Sequence, residues 1–189
     1  MKKIAVMLAN GFEEGEALFT IDILRRANLV CDSISIGEEF VTSSRKITVK
    51  ADKVLGDSDL TEYDIVVLPG GQPGATNLSK DERILNIVRN FLADDKKNVA
   101  AICAAPMVLK AAGVTKGKTL TSFPSDELKA MFDDANYIDD QLVVVDGNLI
   151  TSRGPGTVFD FAYKLVDVAG ADSAPLKKAM LFDRLLARK

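Results

Sequence analysis

The chain of 189 residues has no histidine, no tryptophan and only two cysteines. Without histidine it cannot form a Cys-His or Ser-His catalytic pair, and it cannot build a histidine metal site. Two cysteines are too few for a four-ligand Cys/His zinc site within one chain. They are also too few for a disulfide framework, which indicates a reducing compartment. We therefore expect no metal site.

The sequence also lacks a basic excess and a long hydrophobic run. Lys and Arg number 24 against 27 Asp and Glu, for a net charge of −3, whereas phosphate-binding proteins normally carry a positive excess. The N-terminal apolar run, Ile4–Ala9, is shorter than the hydrophobic region of a signal peptide. No run approaches the length of a membrane span. These absences predict a cytoplasmic protein with no nucleic-acid or membrane partner.

What is present is typical of an ordinary globular domain. Apolar residues make up 47% of the chain and charged residues 27%, and the length fits one domain over residues 1–189. Short apolar runs without alternation predict strands that are covered on both faces, as in a parallel sheet between helices. These runs are Ile4–Leu8, Ile65–Leu68, Val99–Ile102 and Val143–Val145.

Helical patterns fill the intervals between the predicted strands. They cover residues 14–27, a segment ending near Leu92, and residues 104–112, 157–169 and 175–188. Ser79 and Glu82 predict a capping box for the helix that ends near Leu92, and Thr157 predicts a cap for the helix over residues 157–169. Asp146-Gly147 indicates a hairpin, and residues 35–56 predict a second small one carrying Ser44-Arg45. The predicted fold is a three-layer α/β/α domain with a mostly parallel, doubly wound sheet and an antiparallel edge. Its ligand site should lie beyond the carboxyl ends of the strands.

Cys103 follows a predicted strand and precedes a predicted helix. Ala101 and Ala105 flank it with the small side chains that a sharp strand-to-helix turn requires. A thiol on such a turn faces a helix N-terminus, which favours the thiolate. The alternative is a small buried hydrophobic residue, since free cysteine often has that role. Cys31 lies on an alternating strand and is interpreted as inert.

Glu16 lies just after the first strand, so its loop and the Cys103 turn can open at the same edge of the sheet. A carboxyl close to a thiolate must be protonated, which requires a raised pKa, and such a pair titrates jointly. The alternative is that acidic residues complement the dipole of the following helix. We prefer that alternative for Glu13 and Glu14.

Two glycine-containing segments follow later strands. In Pro69–Ala75, Gly70 and Gly71 allow backbone N–H groups to approach a ligand, and one could form an oxyanion hole with the N–H of Ala104. A plain turn explains the segment about equally well. In Thr151–Thr157, Arg153 could bind an anion, although a structural turn is the favoured interpretation.

Together these segments resemble the DJ-1/ThiJ branch of the DJ-1/PfpI superfamily over nearly the whole chain. The motifs that carry the resemblance are Glu13-Glu-Gly-Glu16, Val67-Leu-Pro-Gly-Gly71 with Gly74-Ala75 and Asn77-Leu78, Ala100-Ala-Ile-Cys103-Ala-Ala-Pro106, and Thr151–Thr157. The resemblance implies a flavodoxin-like fold and a homodimer with the first helix in its interface.

The resemblance also assigns roles to individual residues. Cys103 would be the reactive cysteine on a nucleophile elbow, with Glu16 as its protonated partner. The N–H groups of Gly71 and Ala104 would line the anion site. Arg153 and, from the partner subunit, Arg45 would lie nearby.

Two departures from the family pattern limit the chemistry. Several members carry histidine where this chain has Phe123, and the Cys-His peptidases and amidases place histidine where it has Ala104. No base remains to activate the thiol in their manner, so peptidase and glutamine amidotransferase activities are not expected.

Two functional classes then remain. The first is a cofactor-independent enzyme acting on small reactive aldehydes or glycated groups, by glyoxalase-type conversion of methylglyoxal to lactate or by deglycation. The second is a non-enzymatic oxidative-stress sensor or chaperone in which Cys103 is oxidised to sulfinate. We favour the enzyme.

Overall fold

The computed structural model describes residues 2–57 and 60–187. Its strands are β1 (Lys3–Leu8), β2 (Val30–Ser35), β3 (Phe40–Thr42), β4 (Thr48–Lys50), β5 (Lys53–Val54), β6 (Ile65–Leu68), β7 (Asn98–Ile102), β8 (Thr119–Leu120), β9 (Asn136–Tyr137), β10 (Val143–Asp146) and β11 (Leu149–Ser152). Its helices are α1 (Glu14–Arg26), α2 (Gly74–Lys80), α3 (Glu82–Ala93), α4 (Pro106–Ala111), α5 (Asp126–Met131), α6 (Val158–Val168), α7 (Ala174–Ala179) and α8 (Phe182–Leu186), with short 3₁₀ turns at Leu55–Asp57, Leu60–Glu62 and Pro155–Thr157.

The main sheet has the strand order β10-β11-β7-β6-β1-β2-β5. Every neighbouring pair is parallel except β10 and β11, which form the antiparallel edge. The turn of that edge hairpin contains Gly147 at φ +58°, a left-handed conformation that glycine adopts without strain. This sheet confirms the predicted α/β class and its antiparallel edge.

Helices cover both faces of the sheet, which explains why the strand sequences are continuously apolar. In β1, Ile4 and Val6 belong to one apolar cluster, whereas Ala5 and Met7 belong to the other. The first cluster is completed by α1 and α6, and the second by α2, α3 and α4. Successive strand residues point to opposite faces, so every position of a central strand is buried.

The predicted strand positions agree with the structure to within one residue at each end. Residues 40–50 form the second hairpin, with β3 antiparallel to β4 and Ser44-Arg45 in the connecting turn. The two-residue strands β5, β8 and β9 were not predicted, because two residues show no periodicity.

Several predicted helix ends are wrong. Ser79 lies inside α2, and Asp81 is the N-cap of α3, because its carboxylate accepts from the Arg83 N–H. Thr157 does not cap α6 through its side chain, because its hydroxyl is bonded to Gly154.

Two further helical predictions needed correction. The segment 175–188 is two short helices, α7 and α8, separated at Leu181 in the left-handed region, and residue 188 lies outside the described residues. The segment 104–112 begins as a turn, and its helix starts at Pro106, which is suited to a first helical position. Within residues 2–57 and 60–187, no helix has both the length and the apolar character to cross a membrane.

Candidate active site

Three loops meet at the carboxyl edge of the sheet because β7, β6 and β1 are adjacent. The loop after β1 leads to Glu16 in the first turn of α1, the loop after β6 contains Gly70 and Gly71, and Cys103 follows β7. Helix α1 lies on one face of the sheet and α2 on the other, so the site lies where the chain changes direction across the sheet. Such a crevice is the usual ligand site of open α/β sheets.

Cys103 lies on the sharp strand-to-helix turn that its neighbours predicted. Its φ is +64°, which a non-glycine residue adopts at a cost of about 1–3 kcal/mol. Two backbone hydrogen bonds hold it there: its N–H donates to Ser152 O at 3.0 Å, and its carbonyl accepts from the Phe123 N–H at 2.8 Å. The turn is therefore fixed by β11 on one side and by the segment before α5 on the other.

The carboxyl group of Glu16 is buried beside Cys103. Its Oε2 accepts from the Gly70 N–H at 2.8 Å. A Cβ atom added at Gly70 would lie 2.7 Å from both Glu16 Oε2 and the Cys103 Cβ, so only glycine fits between the two side chains. The N–H of Gly70 serves the carboxyl group and not an anion beside the sulfur, which corrects its predicted role.

Burial raises the pKa of Glu16 from 4.5 to about 7. Hydrogen bonds from Cys103 and from the Gly70 N–H favour the carboxylate, but they do not offset desolvation, and the charge of Glu13 raises the pKa further. Among the described residues, Glu16 Oε1 is the buried side-chain polar atom that has no hydrogen-bond partner. The raised pKa predicted for Glu16 agrees with this buried environment.

The pKa of Cys103 is also raised, first by burial and then by the negative charge of Glu16. The N–H groups of Ala104 and Gly71 oppose this shift by hydrogen bonding to the sulfur. The helix N-terminus alone had predicted a lowered pKa, so that expectation is wrong in sign for the thiol beside an ionised Glu16.

The two groups therefore titrate as a pair. The first proton leaves with an apparent pKa of about 7, and the second is held much more tightly because its loss would bring two negative charges together. Above about pH 7 the pair carries one negative charge. Gly70 stabilises that charge on the carboxylate, whereas Gly71 and Ala104 stabilise it on sulfur.

The N–H groups of Gly71 and Ala104 thus face the Cys103 sulfur, and their role as an anion site stays a prediction. Gly71 has φ +89°, and a Cβ there would lie 2.3 Å from the Glu13 nitrogen. Glycine is required because this loop packs directly against the backbone that precedes α1. The close approach aims the Gly71 N–H at the sulfur.

Cys103 opens into a cavity of about 460 Å³. The other residues lining it are Glu13, Ser44, Arg45, Gly71, Gln72, Ala104, Met107, Phe123, Ser125, Glu127, Leu128, Met131 and Pro155. Sequence reasoning missed most of these, because Met107, Leu128 and Met131 show no motif and become neighbours only through the packing of α4 and α5. The one available signal was Phe123, which stands where several family members carry histidine.

The two predicted arginines differ in position. Arg45 lines the cavity from the same chain as Cys103, and a contribution from the partner's Arg45 stays a prediction. Arg153 lies outside the lining and donates to the backbone oxygen of Asp139, with an ion pair to its carboxylate at 2.7 Å. The favoured structural interpretation of Arg153 agrees with these contacts, and the anion-binding role implied by the resemblance does not.

In the part of the chain that the structure describes, no group of three or more Cys, Asp or Glu side chains is arranged to hold a metal ion. The residues that converge on the cavity are a thiol, a carboxyl group and two N–H donors. This set can add a nucleophile to a carbonyl carbon, hold the resulting oxyanion and move one proton.

The strand order of the sheet and the cysteine on the turn after β7 can be compared with those of known proteins. The profile of the DJ-1/PfpI family matches residues 2–168, and the chain belongs to that family. Protein dj-1beta of Drosophila melanogaster is 40% identical over 167 residues, which cover 88% of each protein. The glutathione-independent glyoxalase DJ-1 of Schizosaccharomyces pombe is 33% identical over 182 residues, covering 91% of this chain and 94% of that protein.

Solved structures agree with the sequence comparison. A crystal structure of Drosophila melanogaster DJ-1beta has a TM-score of 0.89 and 39% identity, covering 96% of this chain and 98% of that one. A variant of a DJ-1 superfamily protein from Salmonella typhimurium has a TM-score of 0.87 and 38% identity, covering 97% and 98%.

Proposed function

We propose that the protein is a cofactor-independent, cysteine-based enzyme that converts methylglyoxal and related α-oxoaldehydes to 2-hydroxy acids, and that acts on early glycation adducts of the same chemistry. The observation that carries this proposal is a carboxyl group with a pKa of about 7 in contact with Cys103, whose sulfur faces two N–H donors. A general acid–base works best when its pKa is near the working pH. The name of the Schizosaccharomyces pombe relative supports the same chemistry.

The first step adds sulfur to the aldehyde. In the reactive form of the pair, Cys103 is the thiolate and Glu16 holds the proton. The sulfur forms a bond to the aldehyde carbon, and the electrons of the C=O π bond move to oxygen. The N–H groups of Gly71 and Ala104 stabilise this oxyanion, which then takes the Glu16 proton to give a hemithioacetal.

The second step isomerises the adduct. The Glu16 carboxylate removes the proton from the former aldehyde carbon, and the electron pair forms an enediolate with the neighbouring carbonyl. Glu16 returns that proton to the second carbon, while the hydroxyl proton passes to the second oxygen. The first carbon is oxidised to a thioester and the second is reduced to an alcohol, so no external oxidant is needed.

Hydrolysis completes the cycle. Glu16, now a carboxylate, takes a proton from water, and the hydroxide adds to the thioester carbon. The tetrahedral oxyanion again lies against Gly71 and Ala104 and collapses with loss of the Cys103 thiolate. One methylglyoxal and one water give one lactic acid, and both side chains return to their starting states.

The same donors favour a second candidate function, in which the protein senses peroxide. Two peroxide molecules would oxidise the thiolate first to sulfenic and then to sulfinic acid. The N–H groups of Gly71 and Ala104 and a protonated Glu16 would donate to the new oxygens. This function needs donors around the sulfur but no proton shuttle, so Glu16 variants separate the two.

Glu16→Gln keeps a hydrogen-bond donor and removes the shuttle. We expect it to lower lactate formation from methylglyoxal by roughly 10²-fold, the usual contribution of a general acid–base. Glu14→Gln is the matched control, because its side chain accepts from Ser44 and it is not among the residues that line the cavity. If Glu16→Gln matches wild type while Cys103→Ser is inactive, Glu16 is no proton shuttle and the mechanism is wrong.

The homodimer implied by the resemblance remains a proposal. Support comes from α1, where Leu18 is 38% exposed and Phe19 45% exposed, next to Ile47 at 48%. An exposed apolar patch of this kind is typical of an interface. We expect Phe19→Asp to shift the sedimentation of the protein toward the monomer. A wild-type protein that sediments only as a monomer at micromolar concentration would contradict the dimer.

A further inference from the structure

The cavity at Cys103 is much larger than methylglyoxal requires. Methylglyoxal has five heavy atoms and displaces on the order of 100 Å³, a few times the volume share of one water. The cavity has about 460 Å³, within the range of pockets that hold considerably larger ligands. A substrate attached to the sulfur would therefore leave most of the cavity for a substituent.

Most of the apolar lining comes from one stretch of the chain, and Pro155 adds to it from the loop after β11. Met107 is contributed by α4, Leu128 and Met131 by α5, and Phe123 by the segment between them. Phe123 is 44% exposed although it is a large aromatic residue. Most of the polar lining comes from elsewhere, namely from the loops after β1 and β6 and from the β3–β4 turn.

Phe123 is fixed next to the Cys103 backbone. Its N–H donates to the carbonyl of Cys103 at 2.8 Å. Its ring lies over Gly154, where an added Cβ would be 3.5 Å from the ring carbon. The exposed part of the ring thus belongs to the cavity that receives any group bound to Cys103.

The charges of the lining restrict the substituent further. Glu13 and Glu127 bring two carboxylates, and Arg45 brings one guanidinium, so the charged lining has a net negative charge. An anionic substituent would be repelled, and an uncharged apolar one has both the room and the matching surface.

We propose that Phe123, Leu128, Met131 and Met107 form a subsite for an uncharged apolar group on the aldehyde. The preferred substrates are then α-oxoaldehydes with aryl or branched alkyl groups, in place of methylglyoxal itself. The choice of substrate class rests on the proposed function, whereas the subsite exists whether or not the enzyme turns substrate over.

The subsite is tested directly by alkylating Cys103 with iodoacetamide and with N-benzyl iodoacetamide, which share a reactive group. We expect the benzyl reagent to react roughly 10-fold faster or more, because one or a few buried methylene groups give such factors in an apolar pocket. Phe123→Ala should reduce this ratio several-fold. Phe40→Ala, which removes an exposed phenylalanine outside the cavity, should leave the ratio unchanged.

Turnover then separates the subsite from the enzymatic function. We expect kcat/KM for phenylglyoxal to exceed that for methylglyoxal by roughly 10-fold in wild type, and this advantage should fall in Phe123→Ala. Equal alkylation of Cys103 by both reagents would overturn the subsite. A benzyl advantage without turnover of either aldehyde would support the subsite and refute the proposed function.

Discussion

The two cysteines occupy opposite kinds of position in the same sheet. Cys31 is the second residue of β2, 4% exposed, and packed in the apolar cluster under α1. Cys103 lies one residue beyond β7, on a strained turn that opens into a cavity. Both thiols have a raised pKa, and for both the largest cause is burial. Desolvation alone therefore does not distinguish the two thiols.

The difference lies in the neighbours of each thiol. Around Cys31 the acidic residues Asp32 and Asp52 raise the pKa and Arg25 lowers it, and the thiol titrates at about 12. Cys103 instead contacts a carboxyl group that itself titrates at about 7, so the pair releases a proton near neutral pH. We therefore expect the reactivity of Cys103 to depend on sharing one negative charge with Glu16 and on access from the cavity.

Serine substitution at each position should produce opposite losses. We expect Cys103→Ser to lower turnover by roughly 10³-fold or more, since the nucleophile is removed. Its free energy of unfolding in urea should change by less than about 1 kcal/mol. Cys31→Ser should leave turnover within about twofold but cost about 1–3 kcal/mol, because a hydroxyl group is buried without a partner. Lactate assays and urea titrations on both variants check this. Comparable losses of turnover in Cys103→Ser and Cys31→Ser would contradict the different roles predicted for the two cysteines.

Alkylation rates should distinguish Cys103 from Cys31 without any substrate. Iodoacetamide should modify Cys103 roughly 10²-fold faster than Cys31, because Cys31 is reached only when the core opens. The rate at Cys103 should rise with pH through an inflection near 7, following the pair, and Glu16→Gln should remove that inflection. Peptide-resolved mass spectrometry at several pH values measures both rates. Equal rates in the native protein would contradict the assignment of Cys103.

The stability of the protein should depend on pH through Glu16 and not through Cys31. Because the folded pKa of Glu16 is about 7 against 4.5 in an ordinary setting, the folded state binds the proton more tightly. Stability is then lost as pH rises from about 4.5 to 7, by about 3 kcal/mol in total. Cys31 stays neutral over this range, since its pKa is about 12. Urea unfolding at pH 5 and pH 8 should show that Glu16→Gln loses less free energy of unfolding than wild type between these pH values. Equal losses in the variant and in wild type would refute Glu16 as the cause.

Much of the fold was predictable because the burial of a strand determines where apolar residues occur in its sequence. The strand of Ile4–Leu8 and the strand of Ile65–Leu68 are covered on both faces, and their continuous apolar runs show it. Helix α5 was missed, because it has six residues and buries none of them, so no hydrophobic periodicity develops. The predicted cap at Ser79 failed because Asp81, two residues later, offered a carboxylate to the same helix start.

The site was only partly predictable. Cys103 and Glu16 were found because each follows a strand, and parallel strands end at the same edge. The sign of the Cys103 pKa was not predictable, since it depends on how closely a buried carboxyl group approaches the sulfur. The role of Arg153 was also hidden, because Asp139, its partner, lies 14 residues away and joins it only through the folded loop.

Helix α5 has one more consequence. It forms part of the cavity wall, but it has no buried residue, and Lys129 holds it to Asp139, which Arg153 also binds. Exposed ion pairs contribute little free energy and weaken in salt, whereas the apolar contacts beneath the central strands do not. Leu128 adds a partly buried apolar contact to the core, so we expect local opening of the wall to break that contact and the ion pair while the sheet and the Cys103 turn stay folded. We therefore expect ionic strength to change how fast a bulky alkylating reagent reaches Cys103.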